Sequence, residues 1–180
     1  MLNRAFTDAK HKETLGRLGK PCRVIHRDVV PEGRGDLAGL RATLARLVAD
    51  CAACGGAEIE FCDDLSSGAL RLDFQSAILA IVRELLFNAC RHSKSKKVML
   101  GLTQDAGCIC VQVQDWGVGF SPVSSKPGNR GLKGIRNLVE WMGGTVKIDS
   151  QPGVGTCVMV EVAMPSEDGQ DNASRVRTPR

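Results

Sequence analysis

Glu84 and Asn88 stand four residues apart in the run Glu84-Leu85-Leu86-Phe87-Asn88, a spacing that a helix converts into two side chains one turn apart on the same side. An acid and an amide so placed can act on one ligand. Magnesium takes oxygen ligands and keeps several waters, so a single Asn carbonyl together with phosphate oxygens is a suitable coordination set. Further along, Asp115-Trp116-Gly117-Val118-Gly119 puts a carboxylate where an apolar strand gives way to a glycine-rich turn, a setting in which it can be held in the floor of a cleft. Gly117 and Gly119 are expected to permit positive φ and a close backbone approach to a ligand. Gly131-Leu132-Lys133-Gly134 opens a helix, whose unpaired N–H groups and dipole favour bound phosphate. Gly153-Val154-Gly155-Thr156 brings a hydroxyl to the start of a strand.

Taken singly, each motif has an ordinary explanation: an exposed acid and amide near a helix end, a surface turn, a hairpin. Their order and the elements around them carry the weight. Asp36 can cap a helix whose apolar residues Leu37, Leu40, Leu44, Leu47 and Val48 recur at helical spacing until Gly55-Gly56 stop it. Ile59 and Phe61 alternate with Glu58 and Glu60, as in a half-buried strand. Asp73 opens a second helix running to about His92, with Ile78, Ile81, Val82, Leu85 and Ala89 as its apolar stripe and Glu84, Asn88 and His92 along the border of that stripe. From Lys97 the period becomes two: Val98, Leu100 and Leu102 alternate, Gln104 to Gly107 turns, and Ile109, Val111 and Val113 alternate again, which predicts two antiparallel strands. After a polar segment from Ser121 to Asn129, a helix is expected from about Leu132 to Met142, closed by Gly143-Gly144. Strands Thr145 to Asp149 and Thr156 to Ala163 follow, joined through Gln151-Pro152-Gly153. Strands in succession with helices between them predict an α/β (α+β) two-layer sandwich, one mixed sheet covered on one face by helices.

Composition sets the outer bounds. With 180 residues, 43% of them apolar and 24% charged, the chain is about one domain long and can bury a core. A net charge of +4, spread along the chain, is too weak a footprint for nucleic acid, and no nucleic-acid partner is expected. No apolar run is long enough to cross a bilayer and the first twenty residues carry no secretory pattern, so the expected location is cytoplasmic. Lys94, Lys96 and Lys97 suit a phosphate ligand or a solvated helix end equally. The eight cysteines fall in strand-like and helical runs, which argues for small buried thiols rather than a disulfide framework. Cys51 and Cys54, with Cys62 nearby, have the inner spacing of a metal or redox pair but no second pair at finger distance.

The four motifs resemble the N, G1 and G2 boxes of the ATP-binding domain shared by sensor histidine kinases, gyrase-type topoisomerases and their relatives, over roughly Asp36 to Pro165. The resemblance implies the Bergerat ATP-binding fold, ATP and Mg2+ as ligands, Asn88 as the Mg2+ ligand, and Glu84 as general base or as the group orienting the phosphoryl acceptor. It implies that Asp115 accepts a hydrogen bond from the adenine amino group and that Gly117, Gly119, Gly131, Leu132, Gly134 and Thr156 surround the nucleotide. The hydroxyl of Thr156 is expected near Asp115 or its water. His92 would line the site, and Lys94, with Arg130 or Lys133, would add countercharge to the triphosphate. The short stretch between Gly119 and Gly131 would be a lid, as in the short-lid, nitrate-sensor-like subgroup. Two departures stand out: Asn129 replaces a usual Gly, mildly since Asn tolerates left-handed backbone, and Trp116 replaces a small or polar residue, where it can line the adenine pocket, pack on a partner or fill the core.

A kinase of this kind also needs an acceptor histidine followed by an acid on a dimerising hairpin. His11 lies between two lysines and His26 precedes Arg27, while Ile25 to Pro31 resembles the exit of such a hairpin into the ATP domain. Residues 1–35 are therefore expected to be a connecting segment, 36–165 the ATPase domain and 166–180 a disordered tail. The resemblance implies phosphoryl transfer to a histidine-containing dimerisation domain, relay to a response regulator, and a homodimeric full-length protein. An anti-sigma-type serine kinase and a nucleotide-binding regulator without turnover are the competing readings.

Overall fold

The computed structural model describes residues 33–66, 68–121 and 130–164. The expected tail, all of the expected lid after Ser121, and the connecting segment up to Glu32 lie outside the described residues. In chain order the elements are β1 (Arg34–Asp36), α1 (Leu37–Gly55), β2 (Glu58–Asp64), β3 (Ala69–Arg71), α2 (Leu72–His92), β4 (Lys97–Asp105), β5 (Cys108–Asp115), α3 (Arg130–Trp141), β6 (Thr145–Gln151) and β7 (Gly155–Ala163).

The fold is a two-layer α/β sandwich. Its five-stranded sheet has the order β2-β4-β5-β7-β6; β2 runs parallel to β4, and every other neighbouring pair is antiparallel. Inward residues of the central strands, Val98, Leu100 and Leu102 on β4 and Ile109, Val111 and Val113 on β5, are buried against Ile78, Ile81, Val82, Leu85 and Ala89 of α2 and Ile135 and Val139 of α3. Each large aliphatic side chain so buried contributes about 1.5–3 kcal/mol. The opposite face of the sheet carries Gln112, Gln114, Met159, Glu161 and Lys147, as the strand alternation requires.

Local signals account for most boundaries. The Asp36 carboxylate accepts the Gly39 N–H at 2.7 Å and so caps α1, a bond worth about 1 kcal/mol. Gly56 ends α1 with φ 65°. Between β4 and β5 the turn is tighter than expected: β4 continues to Asp105, and Ala106 and Gly107 alone reverse the chain, both at positive φ, as a two-residue hairpin of the primed type requires. Asp73 sits inside the first turn of α2 rather than at its cap, where its carboxylate accepts the Phe74 N–H and pairs with Arg71.

Arg34–Asp36 pairs antiparallel with Ala69–Arg71, and the Leu72 N–H donates to the Gly33 carbonyl, so the chain enters beside the start of α2. At that same end Trp141, the last residue of α3, lies 5.9 Å from Phe74, ring centre to ring centre. The first turn of α3 meets the other end of α2, so the two helices run antiparallel and deliver α3's N-terminus to Glu84 and Asn88.

Candidate functional site

Glu84 and Asn88 lie one turn apart on α2, both half-buried, and the Asn88 side-chain nitrogen donates to Glu84 Oε1 at 3.3 Å. That bond commits the amide nitrogen and leaves the amide oxygen as the acceptor. Gly131, in the first turn of α3, completes the group. A Cβ at this position would fall 1.9 Å from Glu84 Oε1 and 3.4 Å from the Asn88 side-chain nitrogen. A side chain here would push the flexible end of Glu84 aside, and a helix start offers N–H groups and the positive end of the dipole. Leu132 is half-buried and packs against the core. Among the described residues a Cβ on Gly134 would meet nothing within 4 Å. The side chain of Arg130, offered as countercharge, is outside the described residues, as is Asn129.

Asp115 ends β5 and is 5% exposed. Its carboxylate accepts the Gly117 N–H at 2.9 Å. Burial pushes its carboxyl above the ordinary carboxylate range, against the opposing pull of backbone N–H groups of Gly117 and Thr156. The structure therefore holds a desolvated carboxylate with two fixed donors, a group suited to reading a ligand N–H.

The loop after Asp115 differs from expectation in its details. Gly119 has φ 55°, as proposed from the sequence, but Gly117 does not adopt positive φ. Its reason for being glycine is contact: a Cβ would meet the Ser93 carbonyl oxygen at 1.9 Å, and the neighbouring Val118 N–H donates to that same oxygen at 2.7 Å. Thr156 reaches Asp115 through its backbone N–H, while its hydroxyl pairs with Ser150 Oγ at 2.9 Å. Ser150 Oγ also accepts the Phe120 N–H at 2.9 Å and so ties down the chain just after Gly119. Trp116 is 43% exposed, which excludes the core-filling role.

His92 and Lys94 follow Asn88 around the exposed end of α2. The His92 ring stands edge-on to Phe87 with centroids 6.3 Å apart, and Arg91 lies over the same Phe87 ring. Lys94 takes φ 57°, an uncommon conformation for a residue with a side chain, and turns the chain from α2 toward β4. Glu84, Asn88, Gly131, Lys94, Asp115 and the loop to Gly119 thus gather at the C-terminal half of α2. Three residues in this region were not singled out from sequence: Ser93, Ser95 and Ser150. Their only signal is two serines flanking a lysine after a helix and one serine before a turn, a pattern shared by many caps and turns.

Residues 74–166 match the family described as histidine kinase-, DNA gyrase B-, and HSP90-like ATPase, just over half of the chain. The chain is 29% identical over 149 residues to the oxygen sensor histidine kinase NreB of Staphylococcus carnosus, covering 82% of this chain and 43% of that protein. It is 29% identical over 94 residues to the signal transduction histidine-protein kinase/phosphatase DegS of Bacillus subtilis, covering 51% of this chain and 24% of that protein. The chain thus spans less than half the length of these curated relatives. Its structure resembles the histidine kinase domain of the Erythrobacter litoralis EL346 blue-light activated histidine kinase with a TM-score of 0.60 and 26% identity, covering 69% of this chain and 61% of that one. A buried carboxylate on β5, an acid–amide pair on α2 and a glycine at the start of α3 all lie within the matched stretch. The chain belongs to the histidine kinase-, DNA gyrase B- and HSP90-like ATPase family, as an ATP-binding domain of the sensor histidine kinase type.

Proposed function

We propose that this domain transfers the γ-phosphoryl group of ATP to a histidine on a dimerisation helix, from which it is relayed to a response regulator. The observation that carries this reading is the meeting of Gly131, at the start of α3, with Glu84 and Asn88. It puts phosphate-binding backbone beside a carboxylate and an amide oxygen. Asp115 accepts the adenine amino group, and its burial makes that hydrogen bond selective, because a base without a donor there would leave the carboxylate desolvated and unpaired. The first-turn N–H groups of α3, with Lys94 as countercharge, take the phosphates. Glu84 accepts the imidazole proton as the ring nitrogen attacks phosphorus and the bond to the ADP oxygen breaks.

Among the described residues no group of three or more His, Cys, Asp or Glu forms a dedicated metal cage. The donor set fits a cation shared with the nucleotide: Asn88 would hold Mg2+ through its amide oxygen, with phosphate oxygens and water completing the shell. Bound there, the cation would neutralise charge on the phosphates. Among the described residues no helix is long and apolar enough to cross a membrane; we infer a cytoplasmic domain of a homodimeric kinase.

Incubating the chain with Mg2+, γ-labelled ATP and a histidine-bearing hairpin fragment tests the reaction. Acid-labile label on the fragment, lost with Glu84→Gln, is the expected result. Acid-stable label on a partner, or no nucleotide binding, overturns it.

A further inference from the structure

Two serines that no motif of the site includes form a bracket between its halves. α2 ends at Ser93, whose Oγ donates to the Ala89 carbonyl and accepts the Ser95 N–H at 2.9 Å. This pair of bonds spans Lys94 and holds it at φ 57°, a conformation a residue with a side chain keeps only when its surroundings impose it. Ser95 Oγ then donates to the Lys97 carbonyl at 2.6 Å and accepts the Trp116 N–H at 3.2 Å. The Ser93 carbonyl takes the Val118 N–H at 2.7 Å, with Gly117 pressed against the same oxygen. Both serines are buried. The loop that follows Asp115 is thus fastened at Trp116 and Val118 to the three residues that follow α2.

We propose that Ser95, with Ser93, is a positioning residue that fixes the spacing between the base-reading carboxylate Asp115 and the phosphate-side group Asn88. The inference rests on the nucleotide-binding reading above. Neither serine needs to touch the ligand. Without Ser95 Oγ the Trp116 N–H loses its acceptor inside the protein, the loop after Asp115 shifts, and base recognition weakens while the helix that carries Asn88 and Glu84 keeps its place.

Titration calorimetry on the full chain with Mg2+ tests this, using ATP, GTP and inorganic tripolyphosphate as ligands. For Ser95→Ala the expected result is a loss of ATP affinity of about tenfold, the scale of one buried hydrogen bond. ATP should lose part of its preference over GTP, with tripolyphosphate affinity unchanged and ATP binding restored in Ser95→Thr. ATP affinity and ATP-to-GTP preference within twofold of the parent would overturn the proposal. So would equal losses for ATP and tripolyphosphate, which mark general destabilisation. Should Ser95→Ala not fold, Ser93→Ala serves instead, since it removes the acceptor of the Ser95 N–H and the same split is expected. If the parent chain binds neither ATP nor tripolyphosphate, the nucleotide reading itself falls and takes this inference with it.

Discussion

An aspartate lies near each end of α2, Asp73 in its own first turn and Asp115 at the end of β5, and the two are treated in opposite ways. At the N-terminal end Asp73 is held by the Arg71 guanidinium, and that bond draws its carboxyl below the usual range. Beside it Gln75, buried, donates to the Leu70 and Asp36 carbonyls. Here the polar atoms are spent on the protein's own architecture. At the C-terminal end Asp115 is buried, its donors among the described residues are backbone N–H groups, and burial raises its carboxyl. Asn88 and Glu84 are joined by a single long bond. The first end pairs its charges, as an end that stabilises the fold does, whereas the second keeps a desolvated carboxyl, the pattern expected of a ligand site.

Four substitutions put this contrast to the test. Asn88→Ala should have the largest effect. If Asn88 holds Mg2+ as proposed, its loss exceeds the roughly 10- to 100-fold cost of losing an outer partner, so Mg2+-dependent ATP affinity should vanish in calorimetry while the circular dichroism spectrum is kept.

Asp115→Asn comes next. The Gly117 and Thr156 N–H groups will hold the amide oxygen, turning the NH2 group toward the ligand, so ATP binding should fall on the order of 100-fold from two opposed donors. The melting temperature should hold or rise, because a costly buried charge is removed. The sign of the pH effect follows. Asp115's folded-state carboxyl titrates above its unfolded value, so its ionisation penalises the fold above that pKa and the penalty fades on acidification. Asp73 is the reverse: its stabilisation is present at neutral pH and is lost only as pH falls through its lowered folded pKa. Acidification should therefore silence ATP binding before the Asp73 contribution is lost, and parallel loss of both in a pH series would refute the contrast.

Gly131→Ala should be milder. Its Cβ displaces the end of the flexible Glu84 side chain rather than backbone, so phosphoryl transfer should drop about tenfold, with a stability change inside about 1 kcal/mol. Asp73→Asn should be the smallest, lowering stability by about 0.2–1 kcal/mol with ATP affinity untouched.

Much of this was legible in the chain. The capping Asp36, the stripe from Ile78 to Ala89, the alternation along β4 and β5, and the two-layer fold follow from periods of 3.6 and 2 that tertiary structure did not override. The strands Arg34–Asp36 and Ala69–Arg71 were not legible. Three residues are too few to show a period, Gly33 and Gly35 read as breakers, and the pair exists only because distant segments meet. At the site, residue types announced Glu84, Asn88 and Asp115, but not which neighbour each glycine serves. Gly117 answers to the Ser93 carbonyl, a contact set by the loop between α2 and β4. Likewise the Thr156 hydroxyl turned to Ser150, its partner across the pairing of β7 with β6.

The order of the sheet leaves β2 at one margin among the described residues, with β4 on its only paired side. That margin reads Glu58-Ile59-Glu60-Phe61-Cys62-Asp63-Asp64, four carboxylates with Lys97 answering Glu60 and Arg41 answering Asp63. Two copies approaching strand to strand along β2 would bring Glu58 and Asp64 against their like-charged counterparts, which disfavours edge-to-edge pairing at this rim.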